Sequence, residues 1–137
     1  GMLQAAQSRL RKAGLADRVE LRQGDAQQLP YANEFFDALF MSFTLELFAI
    51  SEIPILLKAC KRVLRSQGRM CIVSMGKRDT EGLMIKLYQW AHQKWPSYID
   101  CRPIDARSEI EQAGFHIQQL VQLSLYGLPV DLILAKP

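Results

Sequence analysis

Cysteine is scarce in this sequence and unpatterned. Cys60, Cys71 and Cys101 are odd in number and include no Cys-x-x-Cys pair. No residues are spaced as metal ligands, so no metal site is expected. Cys60 falls in a helical pattern and Cys71 in a strand pattern, where a free cysteine behaves as a small buried hydrophobe. A reduced, cytoplasmic setting is the expectation. Apolar runs never exceed strand length, so neither a transmembrane helix nor a signal-peptide core is expected. Long runs of one charge are also missing. The net charge of +3 is spread along the chain, with Arg9, Arg11, Lys12, Arg18 and Arg22 interleaved with apolar and neutral residues. That pattern points to no nucleic-acid partner and no membrane insertion. Histidine is limited to His92 and His116. The first lies in a helical pattern without an acidic partner one turn on, the second in an alternating strand pattern, and both read as surface or packing residues.

What remains is an ordinary globular composition, 49% apolar and 23% charged over 137 residues, which suits a soluble single domain. No repeat, low-complexity tract or Pro/Gly/Ser linker divides the chain, so residues 1–137 read as one domain. Gly1 ahead of Met2 has the look of a cleavage scar and is left out of the reading.

Hydrophobic periodicity gives the element order. Leu3, Ala6, Leu10 and Ala13 recur at helical spacing over Met2 to Ala13, with Gly14 placed to end the helix. Arg18 to Gln23 alternates, with Val19 and Leu21 inward, and predicts a short strand closed by Gly24-Asp25. Phe36 to Phe43 (FDALFMSF) is almost wholly apolar, the mark of a strand buried on both faces. Ser51 is placed to N-cap a helix through Ile53, Leu56, Leu57, Cys60, Val63 and Leu64, with Gly68 ending it. Met70 to Met75 (MCIVSM) predicts a second doubly buried strand. Thr80 to Trp95 reads as an amphipathic helix through Met84, Leu87, Tyr88, Ala91 and Trp95, stopped by Pro96. Asp105 or Ser108 caps a short helix that ends at Gly114. Phe115 to Leu125 and Val130 to Ala135 then form two antiparallel strands joined by Tyr126-Gly127-Leu128-Pro129. Alternating helices and buried strands predict an α/β fold, a mostly parallel sheet finishing in an antiparallel hairpin.

Four segments then form a pattern together. Gly24-Asp25-Ala26-Gln27-Gln28-Leu29-Pro30-Tyr31 followed by Phe36-Asp37 resembles the GDAxxLPF…FD signature of the class I S-adenosylmethionine-dependent methyltransferases. Arg62-Val63-Leu64-Arg65-Ser66-Gln67-Gly68 is similar to that family's RVLKPGG helix exit, with Ser66-Gln67 in place of Pro-Gly. Ala113-Gly114-Phe115 and the final hairpin resemble the end of the domain. Within the family the likeness is greatest to the ubiquinone/menaquinone-biosynthesis C-methyltransferases and relatives acting on lipid head groups. The resemblance implies a Rossmann-like methyltransferase sheet, S-adenosylmethionine as cofactor and a small-molecule methyl acceptor.

Site residues follow from the resemblance position by position. Asp25 matches the residue that accepts a hydrogen bond from the adenine amino group, Ala26 the backbone N–H that meets the ring, and Leu29 part of the apolar wall. Met41 and Ser42 match the segment beside the methionine part of the cofactor. Carboxyl ends of strands are where open α/β sheets bind ligands, and a planar base suits apolar faces with a few fixed polar groups. Outside that context an Asp after Gly at a strand end is a turn or cap residue. The flanking Leu29-Pro30-Tyr31 and Phe36-Asp37 shift the balance toward an adenine contact. Asp37 itself reads as a structural tie at the strand's start. Tyr88, Trp90, Trp95 and Tyr98 lie where the family builds its acceptor lid, and equally suit a helix packing its own aromatics inward.

No Gly-x-Gly occurs anywhere in the chain. The resemblance therefore implies a domain lacking its first two strands, N-terminally truncated, without the glycine loop and acidic residue that hold methionine and ribose. Phe36–Phe43 would then be left as an apolar edge, an association hazard. It is expected either to pair directly with Arg18–Gln23 or to be covered in a homo-oligomer or by an N-terminal partner chain. Three functions stay open: methyl transfer completed by polypeptide beyond this chain, a non-catalytic remnant acting as an oligomerising or partner-binding module, or weak binding of adenine-containing ligands without methyl transfer.

Overall fold

The computed structural model describes residues 1–76, 104–125 and 128–137. Helix α1 (Met2–Lys12) opens the chain, and Gly14 at φ +66° ends it as expected. Strand β1 (Phe36–Ser42), helix α2 (Ile53–Val63) and strand β2 (Leu64–Met75) follow. After them come helix α3 (Ala106–Gln112), capped by the Asp105 carboxylate on the Ser108 N–H, and strands β3 (His116–Leu125) and β4 (Leu128–Lys136). The expected Thr80–Trp95 helix, with its aromatic group and His92, lies outside the described residues, as do Cys101 and Tyr126-Gly127.

The strands form one sheet in the order β1-β2-β4-β3. β1 runs parallel to β2, while β2·β4 and β3·β4 are antiparallel. The expected mostly parallel sheet is thus corrected among the described strands: β2 is the only parallel neighbour β1 has, and the hairpin supplies the other ladders. α2 and α3 cover the face carrying Met70, Ile72, Ile133 and Ala135. They build one core with Leu45, Leu56, Leu57, Ile110 and Phe115.

Other expectations change for definable reasons. Arg18–Gln23 is not a strand; Ala16–Arg18 is a 3-10 turn, and residues 19–25 have no regular structure. A strand needs a ladder partner, and this segment has none among the described residues; Val19 is left 40% exposed. Nor does it pair with β1, which among the described strands is bonded to β2 alone and stands at the sheet's edge. β1 is not buried on both faces either. Leu39 and Met41 lean on the core, whereas Phe40 on the opposite face is 69% exposed. In β2 the core face is fully buried, while Cys71 and Val73 on the other are half-buried. Ser51 does not cap α2; Glu52 holds the N-cap position, its carboxylate accepting instead from the Ala49 N–H at 2.8 Å. Gly68 does not end α2, which passes directly into β2 at Leu64. Pairing of Phe36 with Leu64 and of Ala38 with Arg69 leaves extra residues in β2, and Gly68 packs inside this irregularity. A Cβ there would lie 2.7 Å from Leu64 Cδ1 and 2.9 Å from the Arg65 carbonyl, so the fold has room only for glycine.

Candidate cofactor site

The segment with the strongest sequence signature folds into a short, externally braced turn. Asp25 precedes the 3-10 turn Ala26–Gln28, and its Oδ1 accepts from the Gln27 N–H at 2.9 Å. The cap role and the adenine role are therefore compatible: one carboxylate oxygen closes the turn. The other oxygen, and the Ala26 N–H, have no partner among the described residues. Asp25 is exposed, while Ala26 and Leu29 are half-buried and pack on the core beneath. The turn rests against α2.

Arg62, near the end of α2, fixes the next stretch. It donates to the Leu29 carbonyl (Nη2, 2.7 Å), the Tyr31 carbonyl (Nη1, 2.7 Å) and Asn33 Oδ1 (3.1 Å). A planar guanidinium presents several donors in a rigid fork, which suits one side chain tying three points of a loop. Sequence reasoning quoted Arg62 within the helix-exit motif but gave it no role. Asp37 does act as a structural tie, pairing with Arg65, whose Nε also donates to the Glu34 carbonyl at 3.2 Å.

The second predicted segment closes β1. Met41 packs on the same core as Ala26 and Leu29, and Ser42 is exposed, its carbonyl accepting from Thr44 Oγ1 at 3.2 Å. The chain leaves the strand through Phe43 at φ +48°, a left-handed conformation that is unusual for an aromatic residue. Glu46 follows on the turn Leu45–Leu47; only 2% of it is exposed, and burial pushes its carboxyl above the usual range. Sequence reasoning missed Glu46 too, although a lone acid inside Thr44-Leu45-Glu46-Leu47-Phe48 was a signal. Burial lifts the Cys60 thiol to about 11, which makes it a packing residue rather than a nucleophile. Among the described residues no group of three His, Cys, Asp or Glu could hold a metal ion.

At the opposite, amino end of β1 lies an open groove of about 560 Å³ between Arg18–Arg22 and Pro30–Phe36. The rings of Tyr31, Phe35 and Phe36 meet along it with centres 4.7–5.3 Å apart, Phe36 edge-to-face with the other two, and the Arg22 guanidinium sits 5.0 Å from the Tyr31 ring centre.

A sequence profile described as a methyltransferase domain matches residues 1–72, which contain both predicted segments and the Arg62 clamp. The chain belongs to that family, the class I S-adenosylmethionine-dependent methyltransferases. The ubiquinone/menaquinone biosynthesis C-methyltransferase of Pseudomonas fluorescens (strain SBW25) is 33% identical over 87 residues, 64% of this chain and 33% of that protein. The demethylmenaquinone methyltransferase of Thermotoga maritima is 30% identical over 98 residues, 72% of this chain and 39% of that protein. This methyltransferase domain thus spans between a third and two-fifths of the length of those curated relatives. A putative methyltransferase from Bacillus halodurans C-125 superposes with a TM-score of 0.75 at 16% identity, covering 98% of this chain and 78% of that one. That likeness shows the fold, an α/β Rossmann-like methyltransferase fold. No described helix is long and apolar enough to cross a membrane.

Proposed function

We propose that this domain supplies the adenine wall and the strand-end floor of an S-adenosylmethionine site, and that the complete site methylates a small-molecule acceptor. The observation that supports this is the Asp25 turn. It leaves one Asp25 carboxylate oxygen and the Ala26 N–H without a partner among the described residues, in a turn whose apolar Ala26 and Leu29 are half-buried, and an adenine requires an acceptor, a donor and an apolar wall. In this reading Asp25 accepts from the adenine amino group, Ala26 donates to the ring, and Met41 and Ser42 line the methionine side. The cofactor, when bound, supplies a methyl group on a sulfonium centre. The protein's task is then to align that centre with the acceptor and to keep water out. A quinone precursor or a lipid head group is the acceptor class we favour, on the likeness to the quinone-biosynthesis enzymes. The free thiols of Cys60 and Cys71 favour a cytoplasmic setting.

The glycine loop that approaches the methionine and the acidic residue that holds the ribose are not found among the described residues, and no Gly-x-Gly exists in the sequence. We therefore place them on polypeptide that fills the space between residues 19–25 and β1, an N-terminal partner segment. A second copy could cover the edge but would lack the same groups. Calorimetric titration with S-adenosylhomocysteine, with Asp25→Ala as control, tests the reading. Micromolar binding lost at least ten-fold in the variant is the expected result. Equal binding by both proteins would remove Asp25 from the site, and no binding by either would make the missing groups indispensable.

A second reading, a non-catalytic module that oligomerises or binds a partner, is favoured by one feature. Among the described strands β1 has one edge without a ladder partner, Phe40 on it and Phe35 just before it are exposed, and the aromatic groove lies at its amino end.

A further inference from the structure

Among the described residues, Glu46 is the only Asp, Glu, Lys, Arg or His that is buried. Its Oε1 accepts from the Met75 N–H at 2.6 Å. In a parallel ladder a residue whose N–H bonds one position on its neighbour receives, at its carbonyl, the N–H two positions further along. Phe43 donates to the Val73 carbonyl at 2.8 Å, so its own carbonyl would meet the Met75 N–H if β1 ran on. Instead Phe43 adopts φ +48°, and the Glu46 carboxylate stands where that carbonyl would have been. A strained backbone residue is thus coupled to a side chain that completes the ladder. Among the described residues Glu46 Oε2 and Ser74 Oγ, the latter one residue from the bond, are buried without a hydrogen-bond partner. A carboxylate in such a place costs the fold more than a neutral acceptor would.

We propose that Glu46 is a positioning residue. It clamps the turn that leaves β1, Phe43 to Glu46, to Met75 at the carboxyl end of β2, and so fixes the course of the chain where Met41 and Ser42 end their ladder with Ile72 and Val73. This assignment rests on the cofactor-site reading above, which puts the methionine side of the ligand along Met41 and Ser42. Glu46 acts through these backbones and touches no ligand itself.

Amide hydrogen exchange on the full chain, read residue by residue, tests the clamp. Glu46→Met keeps volume and removes the acceptor; Glu46→Gln keeps the acceptor and removes the charge. In Glu46→Met the Met75 and Phe43 amides should exchange roughly ten-fold faster or more, while β3–β4 amides such as Ile133 stay as in the wild type. Glu46→Gln should restore the protection. Unchanged exchange at Met75, or equal acceleration across β3 and β4, would overturn the clamp. Titration with S-adenosylhomocysteine then carries the link to the ligand. Weaker binding by Glu46→Met and retained binding by Glu46→Gln is expected, and equal binding by all three would overturn a positioning role. If the wild type binds nothing, the cofactor reading for this chain alone fails, and the exchange data still decide whether Glu46 holds the two strand ends together.

Discussion

Helices α1 and α2 make an instructive pair. Each has 11 residues and each has apolar residues at helical spacing. α2 buries Ile53, Leu56, Leu57, Cys60 and Val63 against the sheet, whereas α1 buries none. Leu3, on the apolar stripe of α1, remains 37% exposed. The strands divide the same way: β2 has a ladder on either side and a sealed core face, while β1 is bonded on one side and shows Phe40 to solvent. Periodicity writes the helix into the sequence in both cases. Only α2 has a surface to close on, because helical stability in proteins comes chiefly from packing an amphipathic face.

That contrast can be broken by mutation. The largest effect is expected in the covered region. Leu57→Ala should lower unfolding stability by about 2–5 kcal/mol, because a fully buried leucine leaves a cavity. Leu3→Ala on the exposed face of α1 should stay within about 0.5 kcal/mol. Comparable losses from the two substitutions in denaturant titrations would mean that α1 packs in solution after all.

A smaller effect, with a sign opposite to intuition, is expected at Glu46. Burial raises its carboxyl above the ordinary range, so the folded state binds that proton more tightly than the unfolded chain. Its contribution favours folding at acidic pH and is lost as pH rises from the ordinary glutamate range toward the raised value. Glu46→Gln, which mimics the neutral acid, should therefore be the more stable protein at pH 7, and the difference should shrink on acidification. A pH-independent difference, or a less stable Gln variant at neutrality, would contradict the assignment.

The smallest effect on stability should come from the open side. Phe40→Lys, at a 69% exposed edge position, should change unfolding by no more than about 0.5 kcal/mol. If β1 mediates self-association, the same change should convert oligomer to monomer in light scattering, since an edge lysine opposes strand pairing. An unchanged mass would count against the module reading.

Segments whose partners lie nearby in the described sheet were legible in the sequence. The helix read from Ile53, the strand containing MCIVSM and the closing antiparallel pair are all present, although α2 stops at Val63, β2 begins already at Leu64 and β4 begins at Leu128. So are the two glycines that end helices, Gly14 and Gly114, both at positive φ. Arg18–Gln23 was not legible as it stands, because alternation reports which side chains would face inward but supplies no ladder partner. Doubly buried β1 failed for the same reason. Residues of the candidate site were named through the family signature, and Asp25 proves to be a turn-closing residue as well. Arg62 and Glu46 escaped because their roles are tertiary. A guanidinium reaching three points on a distant loop, and a carboxylate replacing one carbonyl, leave no periodic trace.

The Arg62 clamp also constrains how such a chain can change in length. Each residue added to a helix turns everything after it by about 100°. One insertion between Leu57 and Arg62 would swing the guanidinium off the Leu29 and Tyr31 carbonyls while the buried leucines before it kept their places. Length variation should therefore be tolerated in the irregular residues 19–24, ahead of the Asp25 turn, and refused along the second half of α2. In that respect the helix serves as a ruler for the loop it holds.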